Sequence, residues 1–180
     1  MIQKFLDLGM QPLANKYLTK KDIMKKNKEK FYHLEVGFNI KTKLVSILNT
    51  LPSQKMYDDS YPYRSSMSQT MILSFKKLAK KLIKTYKPNS ILEIGSNDGS
   101  LIKNFGKKKV FCVEPCKNLA KITKRMGYKT YANFWNMKLA KKIKSKIKNV
   151  DLIYSANTLS HINDLNSIFR SIVYVLSDDG

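Results

Sequence analysis

Ser-Ile-Leu-Glu-Ile-Gly-Ser-Asn-Asp-Gly, residues 90–99, carries the strongest pattern in this 180-residue chain. Ile91, Leu92 and Ile94 form a short apolar run bounded by Pro88 and Gly95, as in a strand buried on both faces of a parallel sheet. Gly95 and Gly99 bracket a polar turn, and Leu101, Ile102 and Phe105 then predict a short helix. A strand of this kind needs helices on both sides of its sheet.

The turn offers chemistry. Glycine adopts backbone angles closed to other residues and lets a ligand approach the main chain, while the amides of a helix start face that ligand. Glu93 lies inside the strand, where an ionised carboxylate is costly unless it meets a donor. Glu114 ends a second apolar run, Val110-Phe111-Cys112-Val113, at the place where a doubly wound sheet hydrogen-bonds ribose hydroxyls. This ordered set predicts a nucleoside-cofactor site, with a plain strand-helix connection as the alternative. The spacing is Glu-x-Gly-x-x-x-Gly, with Asn97 where a dinucleotide fingerprint has its middle glycine, so no pyrophosphate cradle forms. An acid two residues before the first glycine resembles the first motif of class I S-adenosylmethionine-dependent methyltransferases. In that family the loop holds the amino-acid end of the cofactor and the acid after the second strand holds its ribose.

Composition narrows the field. The length allows one sizeable core, or one core plus a small appendage. No apolar stretch has the length of a membrane span and Met1 is followed by no secretory signal, which gives the expectation of a cytoplasmic protein without a membrane partner. The net charge of +21 invites a nucleic-acid reading, but of 34 basic residues only Arg64, Arg125 and Arg170 are arginine. On residues 67–86 the lysines fall mostly opposite the apolar positions Met71, Ile72, Phe75, Leu78, Ala79, Leu82, Ile83 and Tyr86, as on a solvated helix face. The charge is therefore read as lysine-rich composition rather than as a polyanion surface. Cys112 and Cys116 read as a small core side chain and a loop thiol.

Residues 1–60 differ in character. Residues 5–15 mix apolar residues with Gly9 and Pro12 too closely for a long helix, 20–30 is a lysine-rich connector, and 31–38 and 43–48 are candidate strands. Together they predict a small β-rich module with an antiparallel hairpin. Tyr57-Asp58-Asp59-Ser60-Tyr61-Pro62-Tyr63-Arg64-Ser65-Ser66 follows, a loop in which a serine can cap the next helix. It reads either as a connector or as the lining of a ligand site, where phenols and a guanidinium meet a phosphate or sugar. Beyond Pro115, a helix over 118–126 closes at Gly127, and a third strand spans 128–131. Asn133, Phe134 and Trp135 then stand at that strand's C-terminal edge, as an adenine site or as core. A helix over 137–147, a fourth strand at 151–157 and a helix over 165–176 capped by Asp164 complete the chain. His161 reads as a general acid or base, a substrate ligand, or a side chain under a loop.

Leu-Gly-Met-Gln-Pro-Leu-Ala-Asn (8–15), Tyr-Pro-Tyr-Arg-Ser-Ser (61–66), Glu-Ile-Gly-Ser-Asn-Asp-Gly (93–99), Glu-Pro (114–115) and Asn-x-x-x-His (157–161) together resemble the sugar C-methyltransferases, which act on nucleotide-linked 4-keto deoxysugars. The resemblance implies an α/β fold: an incomplete class I methyltransferase, Rossmann-like parallel sheet over 61–180, behind a degenerate zinc-knuckle-like module at 1–60. It implies S-adenosylmethionine held by Glu93, Gly95, Ser96, Asn97, Gly99, Glu114, Pro115, Asn133, Phe134 and Asn157. A nucleotide-sugar would meet Arg64, Ser65 and Ser66, with Tyr61, Tyr63 and His161 at the chemistry. Family members carry paired zinc cysteines in the hairpin; here Asn39 and Thr42 stand at those positions, so zinc is not expected. Members also continue well beyond residue 180 into a domain bearing a Glu-His pair. The fourth strand would then be an open edge, and the chain alone is expected to be marginally stable, to self-associate there, or to need a completing C-terminal half. Two other classes stay open: a non-catalytic assembly partner, and an RNA-binding methyltransferase-like protein.

Overall fold

A computed structural model describes residues 1–24, 29–106 and 109–180. They fall into two compact units, Met1–Met56 and Tyr57–Gly180. The break lies earlier than residue 60, because Asp59 belongs with the second unit: it accepts the Lys117 backbone N–H at 3.2 Å and pairs with Lys117 Nζ at 3.0 Å.

The first unit consists of β1 (Ile2–Pro12), the short helix α1 (Lys20–Met24), β2 (Phe31–Asn39), β3 (Val45–Ile47) and one turn of helix, α2 (Ser53–Met56). The strands form an antiparallel sheet in the order β1-β2-β3. The hairpin β2-β3 matches the sequence reading, whereas β1 is a strand that the pattern concealed. Two register shifts, between Lys4 and Leu6 and between Asp7 and Met10, break its alternation. Gly9 lies in the second shift at φ +64° and donates its N–H to Asp7 Oδ1 at 2.9 Å. The lysine-rich connector begins with α1, and residues 25–28 of it lie outside the described residues.

The second unit is an α/β fold. After a single 3-10 turn at Ser65–Met67 come α3 (Gln69–Tyr86), β4 (Ser90–Ile94), β5 (Lys109–Val113), α4 (Lys117–Arg125), β6 (Lys129–Tyr131), α5 (Met137–Ile147), β7 (Leu152–Tyr154) and α6 (Leu165–Val175). The four strands are all parallel, in the order β6-β5-β4-β7. Counted along the chain that order is 3-2-1-4, with β4 central and the reversal point beside it, as in a doubly wound Rossmann-like sheet.

Alternate residues of each strand build two cores. Leu92, Ile94, Phe111 and Val113 pack with Leu139, Ala140 and Ile143 of α5 and Ile168 and Val175 of α6. On the opposite face Ile91, Val110 and Cys112 meet Phe75 and Ala79 of α3 with Leu101, Ile102 and Phe105. Helix starts are held by side chains: Ser68 Oγ, Asn136 Oδ1 and Asp164 Oδ1 accept N–H groups of Met71, Leu139 and Ser167. The cap of α3 is thus Ser68, since Ser65 and Ser66 are drawn into the preceding 3-10 turn.

Two local expectations are corrected. The short helix after the glycine turn is a 3-10 turn, Ile102–Phe105, ended by Gly106 at φ 69°. Burial of Leu101, Ile102 and Phe105 pins the segment to the core, and no helix long enough for a dipole develops. Cys116 is buried like Cys112 rather than lying in an open loop. β7 stands at the sheet edge, with a lone parallel bridge between Val150 and Leu176 just before it.

Candidate functional site

The parallel strands end together, and the segments leaving β4 and β5 meet at their C-terminal edge. The Asn97 backbone N–H donates to Glu114 Oε2 at 2.8 Å, and the Cys116 N–H donates to Glu114 Oε1 at 2.9 Å. Glu114 therefore binds its own loop and the glycine loop with one carboxylate. It is 4% exposed, and burial pushes its pKa up while the two N–H donors oppose that rise. Gly95 and Ser96 donate their N–H groups to Val113 O at 2.8 and 3.1 Å, which fixes the start of the loop to the end of β5. Asn97 takes φ 48°, an angle asparagine tolerates better than most residues.

Gly95 has a second constraint. At φ 77° its hydrogen faces Thr158, and a Cβ there would collide with the Thr158 hydroxyl. This glycine is thus required by close approach of the β7 exit as well as by its backbone angle.

Glu93 sits beneath the loop, 3% exposed, and lies directly opposite Cys112 and Tyr154 on the neighbouring strands. Tyr154 donates its hydroxyl to Glu93 Oε2 at 3.1 Å. Burial raises the Glu93 pKa well above the usual carboxyl range, and it pushes the Cys112 thiol up to about 12. Desolvation thus disfavours the charged form of Glu93 in the strand that leads into the loop.

The tyrosine-rich segment is strapped onto the glycine loop. Ser65 N–H donates to Asn97 Oδ1 at 2.9 Å, Ser66 N–H to Asp98 Oδ2 at 3.0 Å, and Asn97 Nδ2 to the Tyr63 carbonyl at 3.2 Å. Asn118 Nδ2, in the first turn of α4, donates to the Tyr61 carbonyl at 2.8 Å. Burial pushes the Asp98 pKa up, and its hydrogen bonds with Ser100 and Ser66 outweigh that, leaving it below its ordinary value. The Asn97 side chain is accordingly committed to the strap, and Ser65 and Ser66 serve through their backbones in docking it. Arg64 and Tyr63 have exposed side chains.

Tyr57 joins the two sides. Its ring lies 5.2 Å from the Tyr61 ring and 5.9 Å from His161, centroid to centroid. Burial first, then the neighbouring Tyr61, Cys116 and Glu114, push its pKa up to about 12. His161, exposed at the end of a 3-10 turn after β7, is thereby placed beside the strap. Tyr57 was not singled out from the sequence, where only its membership of a tyrosine-rich loop pointed to it. Gly99 sits against Thr123 and Met126 of the α4 region and serves the joint between loop and helix. Asn133 is exposed and Phe134 half-buried at the end of β6, while Trp135 is part of the core. Asn157 is exposed at φ 54°, and Pro115 is half-buried beside Glu114. Asn118 Oδ1, Tyr131 OH and Trp135 Nε1, all at this edge or just beyond it, are buried without a hydrogen-bond partner.

Residues 92–180 match the family model described as "Methyltransferase domain". Residues 1–57, ahead of it, match a model described as "Putative zinc binding domain". No curated protein matches the chain at a significant level. Among solved structures, the plantazolicin methyltransferase BamL, in complex with a triazolic desmethylPZN analog and SAH, is 18% identical with a TM-score of 0.49 over 63% of this chain and 46% of its own. A "putative S-adenosyl-L-methionine-dependent methyltransferase" of Methanococcus maripaludis is 17% identical, also at a TM-score of 0.49, over 64% of this chain and 57% of its own. The chain spans about half the length of these structures. The strand order of the second unit, and not these likenesses, carries its fold assignment.

Two outcomes follow from this geometry. Because the folded Glu93 keeps its proton to a higher pH than the unfolded chain does, its contribution to stability falls as pH rises from the unfolded value toward the folded one. Glu93→Gln removes that slope, so as pH rises above the ordinary carboxyl range the melting temperature of the wild type falls relative to the variant; parallel curves contradict the assignment. Asn97→Ala frees the Ser65 amide, whose hydrogen exchange accelerates about five- to tenfold, as expected for loss of one net hydrogen bond. Unchanged exchange at Ser65 would mean that the strap is held by something else.

Proposed function

We propose that the chain provides the cofactor-binding part of an S-adenosylmethionine-dependent methyltransferase that places a methyl group on the ring carbon beside the keto group of a nucleotide-linked deoxysugar. The observation that carries this reading is the meeting of the glycine loop with Glu114 across 2.8 Å. The carboxylate keeps lone pairs beyond the two N–H groups it accepts, and these suit the hydroxyls of a ribose. Asn118 Oδ1 adds an acceptor without a partner in the next turn. The residues thus fit a nucleoside bound at the edge of the sheet, at its switch point.

When bound, the cofactor supplies a methyl group made electrophilic by the positive sulfur. The protein's own task is proton removal, charge stabilisation and placement. On this reading Gly95 and Ser96 approach the methionine end, Asn97 orders the loop, and Phe134 and Asn133 border the adenine. Tyr57 keeps its proton at neutral pH, since burial favours the neutral phenol, and with Tyr61 donates to the developing enolate oxygen. His161, exposed beside Tyr57, accepts the proton from the sugar carbon or holds the sugar. Arg64, with its guanidinium free at the surface of the strap, suits the phosphates of the nucleotide. The β7 edge is where a completing segment or a second copy would add to the sheet.

Titration calorimetry with S-adenosylhomocysteine tests the cofactor reading. Saturable heat is expected for the wild type, weakened at least about tenfold by Glu114→Gln, which removes charge-assisted hydrogen bonds. No saturable heat at about millimolar ligand overturns the reading. The sugar is tested separately with a nucleotide-linked keto-deoxysugar deuterated beside the carbonyl. Methylation at that carbon with loss of deuterium is expected, whereas a methyl group found on oxygen or nitrogen removes the sugar proposal and leaves the cofactor site standing.

A further inference from the structure

The family matched by residues 1–57 implies zinc, and the residues present there do not fit it. The sequence has no cysteine before Cys112, so this unit offers none of the thiolates on which structural zinc sites chiefly rely. Among the described residues, one group of metal-type donors lies close enough together to share an ion: Asp7, His33 and Glu35. Its carboxylate oxygens are already in use. Lys4 Nζ lies 2.6 Å from Glu35 Oε1 and 3.2 Å from Asp7 Oδ2. Asp7 Oδ1 accepts the Gly9 N–H at 2.9 Å and faces His33 Nε2 at 2.8 Å, and Glu35 Oε2 accepts Asn49 Nδ2 at 2.7 Å.

The strand register explains how this came together. Asp7 is the cross-strand partner of Glu35, and two like charges directly opposite repel. The shift between Lys4 and Leu6 puts Lys4, opposite Gly37, on the same face as Asp7, so its ammonium reaches both carboxylates. At the hairpin, Asn39 Oδ1 accepts the N–H groups of Lys41 and Thr42 at 3.0 and 3.2 Å, closing the turn with a carboxamide.

We infer that the N-terminal unit is metal-independent: the Lys4 ammonium, held between Asp7 and Glu35, takes the place of a divalent ion, and the Asn39 carboxamide closes the turn. The perturbed titration agrees, with Lys4 raised first by Glu35 and then by Asp7, and Glu35 lowered first by Lys4.

Equilibrium dialysis of the full chain against zinc chloride, paired with thermal melts in zinc and in EDTA, tests this. The wild type is expected to hold well under about 0.1 equivalent of zinc and to melt at the same temperature in both buffers. Lys4→Gln leaves the two carboxylates and His33 without their internal cation, and its affinity for zinc is expected to be at least about tenfold tighter than the wild type's. About one tightly held zinc per wild-type chain, with a melting temperature lowered by EDTA, overturns the inference. So does a Lys4→Gln chain that folds and binds no more zinc than the wild type. Should that variant fail to fold, the wild-type dialysis and melts decide alone.

Discussion

One carboxylate holds the working edge of the second unit together. Glu114 takes N–H groups from Asn97 and Cys116, and these belong to the segments leaving the two central strands. Without an acceptor there, the buried Cys116 N–H would be left unsatisfied at a cost of about 1–3 kcal/mol, and the half-buried Asn97 N–H would lose its partner as well. The loop from β4 therefore has one geometry, set by an acid that comes from β5. From that fixed loop the Asn97 side chain reaches out to Ser65 and Tyr63, and the strap follows. Tyr57 and Tyr61 at the start of the strap then bring His161 into the same neighbourhood.

The acids at this edge have separate tasks because their environments differ. Glu93 is sealed between Cys112 and Tyr154 and is favoured in its neutral form. Glu114 is buried too, but two N–H donors aim at it, and hydrogen bonds to the charged form oppose desolvation. Asp98 accepts from Ser66 and Ser100 and ties the strap to the base of the loop. A buried acid below, a donor-bound acid beside the loop and a tethering acid in it divide burial in the strand, closure of the loop and docking of the strap among three side chains.

The central sheet was legible because burial on both faces forces unbroken apolar runs. Ile91-Leu92 and Val110 to Val113 have no polar face, and both sit where the sequence places them. Helices α5 and α6 were legible from their spacing and from the Asp164 cap. β1 was hidden by its own bulges, since two register shifts destroy the period of two on which strand recognition rests. The segment after the glycine loop carries helical spacing over too few residues to distinguish an α-helix from a 3-10 turn. Of the site, the glycine loop and Glu114 could be read from their order along the chain. The strap could not, because its attachment runs through side chain to backbone bonds between residues more than thirty positions apart, which leave no periodic trace. Tyr57 escaped notice for the same reason: only its ring contacts with Tyr61 and His161 mark it out.

The most direct measurement is amide hydrogen exchange on the whole chain with and without S-adenosylhomocysteine. If the loop and the Glu114 segment form one nucleoside site, residues 95–99 and 114–118 gain protection together on adding ligand. Ligand binding that leaves both segments unprotected, or that protects only residues of the first unit, would contradict the account.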